Sequence, residues 1–150
     1  MLPRRHNCCP SIVRASLRLP AYDYSSNGAY FVTICTHSRQ AILVDRAKVI
    51  VDAELLALPP RFEGVHVDLS MLMPDHLHAI LIFKQSQAAL PSVIQGFKSV
   101  TARKLKAECA LERVWQRSYY DRVIRDEHEL NVLREYIQNN PLVHAVRVGT

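Results

Sequence analysis

The stretch Ser70-Met-Leu-Met-Pro-Asp-His-Leu-His-Ala-Ile-Leu-Ile-Phe83 sets two histidines two residues apart at the head of an apolar, β-branched run. In a β-strand residues i and i+2 share a face, so His76 and His78 point the same way and their imidazoles can close on one metal ion. The run from Ala79 to Phe83 has the composition of an interior strand, where two polar rings are costly unless something binds them. The plain alternative is a pair of exposed or hydrogen-bonded histidines. Upstream, Val65, Val67 and Leu69 alternate with His66, Asp68 and Ser70, which predicts a strand from about Val65 to Met71. Pro74-Asp75 is then the turn, and two strands this close in sequence form an antiparallel hairpin.

Outward from the hairpin, Ala29-Tyr-Phe-Val-Thr-Ile-Cys-Thr36 reads as a first strand. From Asp45, the residues Val49, Ile50, Ala53, Leu56 and Ala57 recur at helical spacing until Pro59-Pro60 stops the helix. Beyond the hairpin, Pro91 opens a second helix with Ile94, Phe97, Thr101 and Leu105 toward a core and Lys98, Arg103 and Lys106 on other faces. The aromatic segment Val114 to Ile124 includes a last strand. Asp126 with Glu129 three residues on forms a capping box, starting a helix that runs to Asn139 or Asn140 before Pro141. The order β-α-β-β-α-β plus a helix is α+β and of the ferredoxin-like split βαβ type: an antiparallel sheet with helices on one face and an additional C-terminal helix carrying Tyr136.

A chain of 150 residues with 49% hydrophobic composition is one domain by size, here residues 21–150 behind a basic arm of residues 1–20. Nineteen Lys and Arg against 14 Asp and Glu give a net charge of +5, a bias toward polyanionic partners. Cys8, Cys9, Cys35 and Cys109 form no C-x-x-C pair, which argues against a zinc ribbon and for a reducing compartment. Ala79–Phe83 falls far short of the roughly 20 residues that span a bilayer. Arg14 and Arg18 interrupt any signal-peptide core, so the expected location is cytoplasmic, without membrane association.

Tyr136 and Asn140, four residues apart, lie on neighbouring turns of one helix face, beside the apolar stripe of Leu130, Leu133 and Ile137. They can look into a site at the sheet edge. The alternative is a tyrosine packed at the core margin and an asparagine acting as C-cap before proline. Two imidazoles and a side-chain carbonyl make a neutral three-ligand set with positions left for a phosphate oxygen and water. A phenol, with a pKa of about 10, is a weak nucleophile at neutral pH and gains from a cation that polarises its target. Attack of Tyr136 on a phosphodiester there would leave a 5′-phosphotyrosyl link and a free 3′-hydroxyl.

Five segments together resemble the REP-associated tyrosine transposases, relatives of the single-tyrosine HUH transposases of single-stranded insertion sequences. They are Arg18-Leu-Pro-Ala-Tyr-Asp-Tyr with Gly28-Ala-Tyr-Phe-Val-Thr, Met73-Pro-Asp-His-Leu-His, Gly96-Phe-Lys-Ser, Trp115-Gln-Arg-Ser-Tyr-Tyr-Asp and Tyr136-Ile-Gln-Asn-Asn-Pro, in family order over residues 18–141. The resemblance implies that His76 and His78 are the HUH pair, Tyr136 the nucleophile and Asn140 a third ligand, with Mg2+ or Mn2+ as the ion. It also implies a metal-dependent single-strand endonuclease and strand transferase acting on DNA hairpins, REP-like palindromes bounded by short guide sequences. Such an enzyme would be nucleoid-associated and active as a monomer or as a homodimer that exchanges the tyrosine helix.

Tyr119 and Tyr120 compete with Tyr136 for the nucleophile's part, but pack or stack on a base more readily. Contacts to phosphates come from charge, and Lys98, Arg103, Lys104, Lys106, Arg117 and Arg122 are the candidates. For any one of them a solvated surface charge is the plain alternative. Two other classes stay open. One is a non-catalytic hairpin-binding module of the same fold. The other is a small zinc hydrolase using His76, His78 and a water, for which Asp75 is poorly placed because a strand neighbour of His76 points to the opposite face.

Overall fold

The computed structural model describes residues 27–149, with side chains described for 27–139. The arm of residues 1–20, with Cys8 and Cys9, and the segment Arg18 to Tyr24 lie outside the described residues. Strand β1 (Gly28–Cys35) is followed by helix α1 (Asp45–Leu56), a helical turn α2 (Leu58–Arg61), strands β2 (Val65–Met73) and β3 (His76–Phe83), helix α3 (Leu90–Cys109), strand β4 (Tyr120–Ile124) and helix α4 (Glu127–Gly149). The sheet order is β2-β3-β1-β4 with every neighbouring pair antiparallel. β1 and β2 are therefore split by β3, as the ferredoxin-like reading requires. The hairpin turns at Pro74-Asp75, with Met73 opposite His76. No described helix is long and apolar enough to cross a membrane.

Alternation along the two central strands divides the sheet into two faces. Tyr30, Val32 and Ile34 of β1 and Leu77, Ala79, Leu81 and Phe83 of β3 belong to the larger core, shared with α1 and α3. In α3 the buried set includes Ile94, Phe97, Thr101 and Leu105, the stripe expected from the sequence. On the other face Phe31 and Ile80 join Ile124, Leu133 and Ile137 in a smaller core, and this is where α4 packs. Among the described elements, the tyrosine helix alone packs on this side of the sheet.

Three expectations change. Helix α1 buries Ala47, Ile50, Val51, Glu54 and Leu55, whereas Val49 and Leu56 are 60% and 80% exposed. The helix carries two apolar stripes, and the one that packs includes a glutamate. Strand β2 does not alternate throughout: Val67 faces Leu81 and Leu69 faces Ile80, so Asp68 is an extra residue in a β-bulge. Val65 and Val67 therefore join the larger core, while Leu69 and Met71 pack with the smaller one. Finally, α4 continues past Pro141 to Gly149. Proline removes one backbone donor but its fixed φ is itself helical, so here the helix runs through it. Asn140 is consequently not a C-cap.

Buried Glu54 accepts from Lys104 Nζ at 2.5 Å and Arg61 Nη1 at 2.9 Å. The bond from Lys104 leads in holding its carboxyl below the ordinary value near 4.5; burial opposes this, and Arg61 adds to it. A depressed pKa means that the ion pair's contribution is complete above the ordinary value and is lost as pH falls through the lower, folded-state value. Glu54→Gln should cost about 1–3 kcal/mol at neutral pH in urea unfolding. The gap to wild type should hold down to roughly pH 5 and narrow progressively below it. A gap as wide at pH 3 as at pH 7 would assign the residue's contribution to packing instead of charge.

Candidate active site

His76 and His78 occupy the face of β3 opposite to Leu77 and Ala79, both buried and directed toward the helix α4 side. Cross-strand pairing sets Cys35 beside His76 and Thr33 beside His78, with Tyr120 on Thr33's far side in β4. The imidazole centroids are 4.7 Å apart, and His78 stacks on Phe31 at 5.3 Å and 23°. This buried, largely apolar surround would strengthen any charge interaction made within it.

Helix α4 delivers the tyrosine. Asp126 caps its start, Oδ1 accepting from Glu129 N–H at 2.8 Å, while the Glu129 carboxylate turns back to Arg125 N–H at 2.9 Å. Leu133 and Ile137 are fully buried against the sheet, and Arg134 clamps the bulged Asp68 with two bonds of 2.9 and 2.8 Å. Rotation and height of the helix are thereby set. Tyr136 comes to rest 5.5 Å from His78 and 6.2 Å from Phe31, ring centre to ring centre. One chain therefore assembles Tyr136, His76 and His78, over the sheet face at its two central strands and not at its edge. Asn140 belongs to α4 one turn beyond Tyr136, and its side chain lies outside the described residues.

Each histidine is held through Nδ1. Asp75 Oδ1 lies 2.7 Å from His76 Nδ1, and Thr33 Oγ1 lies 2.9 Å from His78 Nδ1. With Nδ1–H donating in both, Nε2 is the nitrogen that presents a lone pair. His76 Nε2 is buried and has no hydrogen-bond partner among the described residues, a costly state that a metal ion would relieve. The donor set thus fits a divalent cation. The second Asp75 oxygen accepts from Arg39 Nη2 at 3.0 Å. Arg39 reaches it from the turn after β1, where both Ser38 and Arg39 adopt positive φ, 55° and 53°. Backbone strain of this kind persists where the surroundings over-determine it. Burial pushes the Asp75 carboxyl up, but the bond to His76 and the charges of His76 and Arg39 together hold it below its ordinary value.

The contacts of Asp75, Arg39 and Thr33 behind the two imidazoles are ones that the sequence reading missed. Asp75 sits in the turn and not in the strand, so the alternation that would turn it away from His76 does not apply. Because it engages Nδ1, it stands behind the ring, on the side away from Nε2. Among the described residues no group of three His, Cys, Asp or Glu could hold a metal, which leaves the zinc hydrolase without a third ligand of that kind. Asp75→Asn should weaken Mn2+ affinity by about 10–100-fold in calorimetric titration, since partners behind a ligating histidine have effects of that size. Unchanged affinity would reduce Asp75 to a turn residue.

The six basic candidates are scattered. Lys98 is half-buried and donates to the carbonyls of Gln116, Arg117 and Ser118, and burial pulls its ammonium below the ordinary value. Lys104 is taken by Glu54, Arg122 by Glu129, and Lys106 lies 3.7 Å from Glu112. Arg103 and Arg117 are exposed, with no ion pair among the described residues. Tyr119 packs against the larger core, while Tyr120 is 38% exposed.

Comparison with known proteins gives the chain's family and fold. A family model described as "Transposase IS200 like" matches residues 24–140. An uncharacterized protein of Haemophilus influenzae is 28% identical over 160 residues, 87% of this chain and 89% of the relative. A REP-associated tyrosine transposase of Escherichia coli (strain K12) is 20% identical over 122 residues, 81% of this chain and 71% of the relative. Among solved structures, that of a REP-associated tyrosine transposase bound to a REP hairpin superposes with a TM-score of 0.71 at 18% identity, covering 85% of this chain and 74% of the other. At that identity the likeness speaks for the fold.

Proposed function

We propose, from the premise that this chain belongs to the IS200-like transposase family, that it cuts and rejoins single-stranded DNA beside hairpins through Tyr136. The observation that carries the reading is the meeting of the Tyr136 ring with His78, beside the buried, unpartnered Nε2 of His76. In cleavage the Tyr136 phenolic oxygen bonds to phosphorus, the bond from phosphorus to the 3′-oxygen breaks, and that oxygen ends protonated. The products are a 5′-phosphotyrosine and a free 3′-hydroxyl; attack by another 3′-hydroxyl reverses the step and joins strands.

The chain's own residues hold this arrangement still. Asp75 and Thr33 fix both imidazoles by Nδ1, and the Leu133 and Ile137 contacts fix the helix that carries the nucleophile. His76 and His78, with Asn140 as a third donor, would hold Mg2+ or Mn2+. Such an ion would supply the Lewis acidity that draws charge from the phosphate oxygens. Hairpin DNA as partner is supported by the chain's net charge of +5 and by the REP hairpin bound to the structural relative. Arg103 and Arg117 are the basic candidates best placed to meet its phosphates, with Lys98, Lys104, Lys106 and Arg122 acting in part through the intramolecular contacts already described.

The test is a 3′-end-labelled hairpin oligonucleotide incubated with the protein and Mn2+, then run under denaturing conditions. A labelled species at protein mass that is absent with chelator is the expected result. Tight hairpin binding with no such species, at any metal concentration, would leave a non-catalytic hairpin-binding module as the function.

A further inference from the structure

We infer that Arg134 and Asp68 are positioning residues for the nucleophile: their ion pair fixes the roll of helix α4 and with it the place of the Tyr136 phenolic oxygen. The role rests on the reading of Tyr136 given above. Taking about 100° per residue, Arg134 and Tyr136 stand about 80° to either side of the seam that Leu133 and Ile137 bury. That seam does not set the angle by itself, because apolar contact is non-directional. A tyrosine oxygen stands roughly 8 Å from the axis of its helix, so a roll of about 10° carries it about 1.4 Å. Misplacement by about 1 Å can slow a reaction about 100-fold.

The roll is held from opposite edges of the sheet, where β2 and β4 are the outer strands. Arg122 of β4 pairs with Glu129 in the first turn of α4, on the Tyr136 side of the seam. From the other side Arg134 reaches Asp68 of β2, Nε to Oδ2 at 2.9 Å and Nη2 to Oδ1 at 2.8 Å. Two parallel bonds between planar groups restrict angle as well as distance. Arg134 Nη1 also donates to Asn131 Oδ1 at 3.1 Å, which steadies the guanidinium on its own helix. Asp68, the extra residue of the bulge, stands outside the pairing of Val67 with Leu81 and Leu69 with Ile80. Removing the pair leaves Arg122 with Glu129 as the one ion pair between α4 and the sheet among the described residues, and the helix turns toward β4. His76 and His78 stay as they were, held by Asp75 and Thr33. Loss of the pair therefore separates rate from binding.

Asp68→Asn keeps the shape and removes the charge, whereas Arg134→Lys keeps the charge and removes the fork. At saturating hairpin and Mn2+ each should slow single-turnover adduct formation by about 10–100-fold, with Mn2+ and hairpin affinities within about twofold of wild type. The double variant should be no slower than the slower single one, since both remove the same restraint. Glu54→Gln, in α1 on the other side of the sheet, controls for lost stability and should leave the rate within about twofold. A wild-type rate in Asp68→Asn, or an equal loss in Glu54→Gln, would overturn the role. NMR reads the placement without the chemistry. NOEs between the ring protons of Tyr136 and His78, whose ring centres lie 5.5 Å apart, should fade in Asp68→Asn. NOEs of unchanged strength would overturn the role whether or not the wild type cuts DNA. Fading NOEs beside a wild type that forms no adduct would uphold it and count against the transposase reading instead.

Discussion

Tyr136→Phe should form no covalent protein–DNA adduct, a loss of at least about 10³-fold, while hairpin affinity stays within a few-fold of wild type. The substitution removes one oxygen. The ring that remains can keep its edge-to-face contacts with Phe31 and His78, and the helix is held elsewhere, by Leu133, Ile137 and the Arg134 pair with Asp68. Stability and hairpin binding therefore serve as internal controls for the missing nucleophile. Tyr120 is the informative rival because it lies in the same cross-strand row as Thr33 and His78. An adduct that survives Tyr136→Phe and disappears in Tyr120→Phe would transfer the chemistry to β4 and defeat the assignment.

Replacing the histidines should act through metal. His76→Ala and His78→Ala are each expected to lower Mn2+ affinity by more than about 100-fold and to abolish the adduct at low millimolar metal. The two should differ in stability. His78 is fully buried, bonded to Thr33 and stacked on Phe31, so its removal opens a cavity and should cost about 1–3 kcal/mol. His76 has an unpartnered Nε2, so truncating it sheds an unmet polar group, and its cost should be smaller. Calorimetry with Mn2+, thermal unfolding and the adduct assay read these terms separately. If either variant binds Mn2+ as tightly as wild type, the pair is not the metal site.

Much of this was legible in the residues. The two-residue spacing of His76 and His78 fixes a shared face whatever the rest of the fold does, and the i, i+3, i+4 run of α3 identifies its buried side because its charges avoid it. Helix α1 was harder: Val49 and Leu56 form as good a stripe as Val51 and Leu55, and the Glu54 pairing with Arg61 and with Lys104, 50 residues away in sequence, accounts for a carboxylate on the packed side. The phase of β2 was hidden because a bulge leaves no sign in the hydrophobic pattern. Asp75 was misread for a related reason: alternation stops at the strand's end, and its link to Arg39 depends on a positive-φ turn that non-glycine residues rarely enter. Asn140 and Pro141 show the limit of local rules, since a helix continues through a proline that usually ends one.

The extra residue at Asp68 makes the strand's count odd, and parity is what a two-sided sheet cannot lose. Were β2 one residue shorter there, either Val65 and Val67 or Leu69 and Met71 would be turned out of their own cores, and Arg134 would lose its carboxylate. A deletion in a strand that supplies neither the histidines nor the tyrosine would then shift the helix that carries Tyr136, so the length of β2 helps to set where that side chain stands.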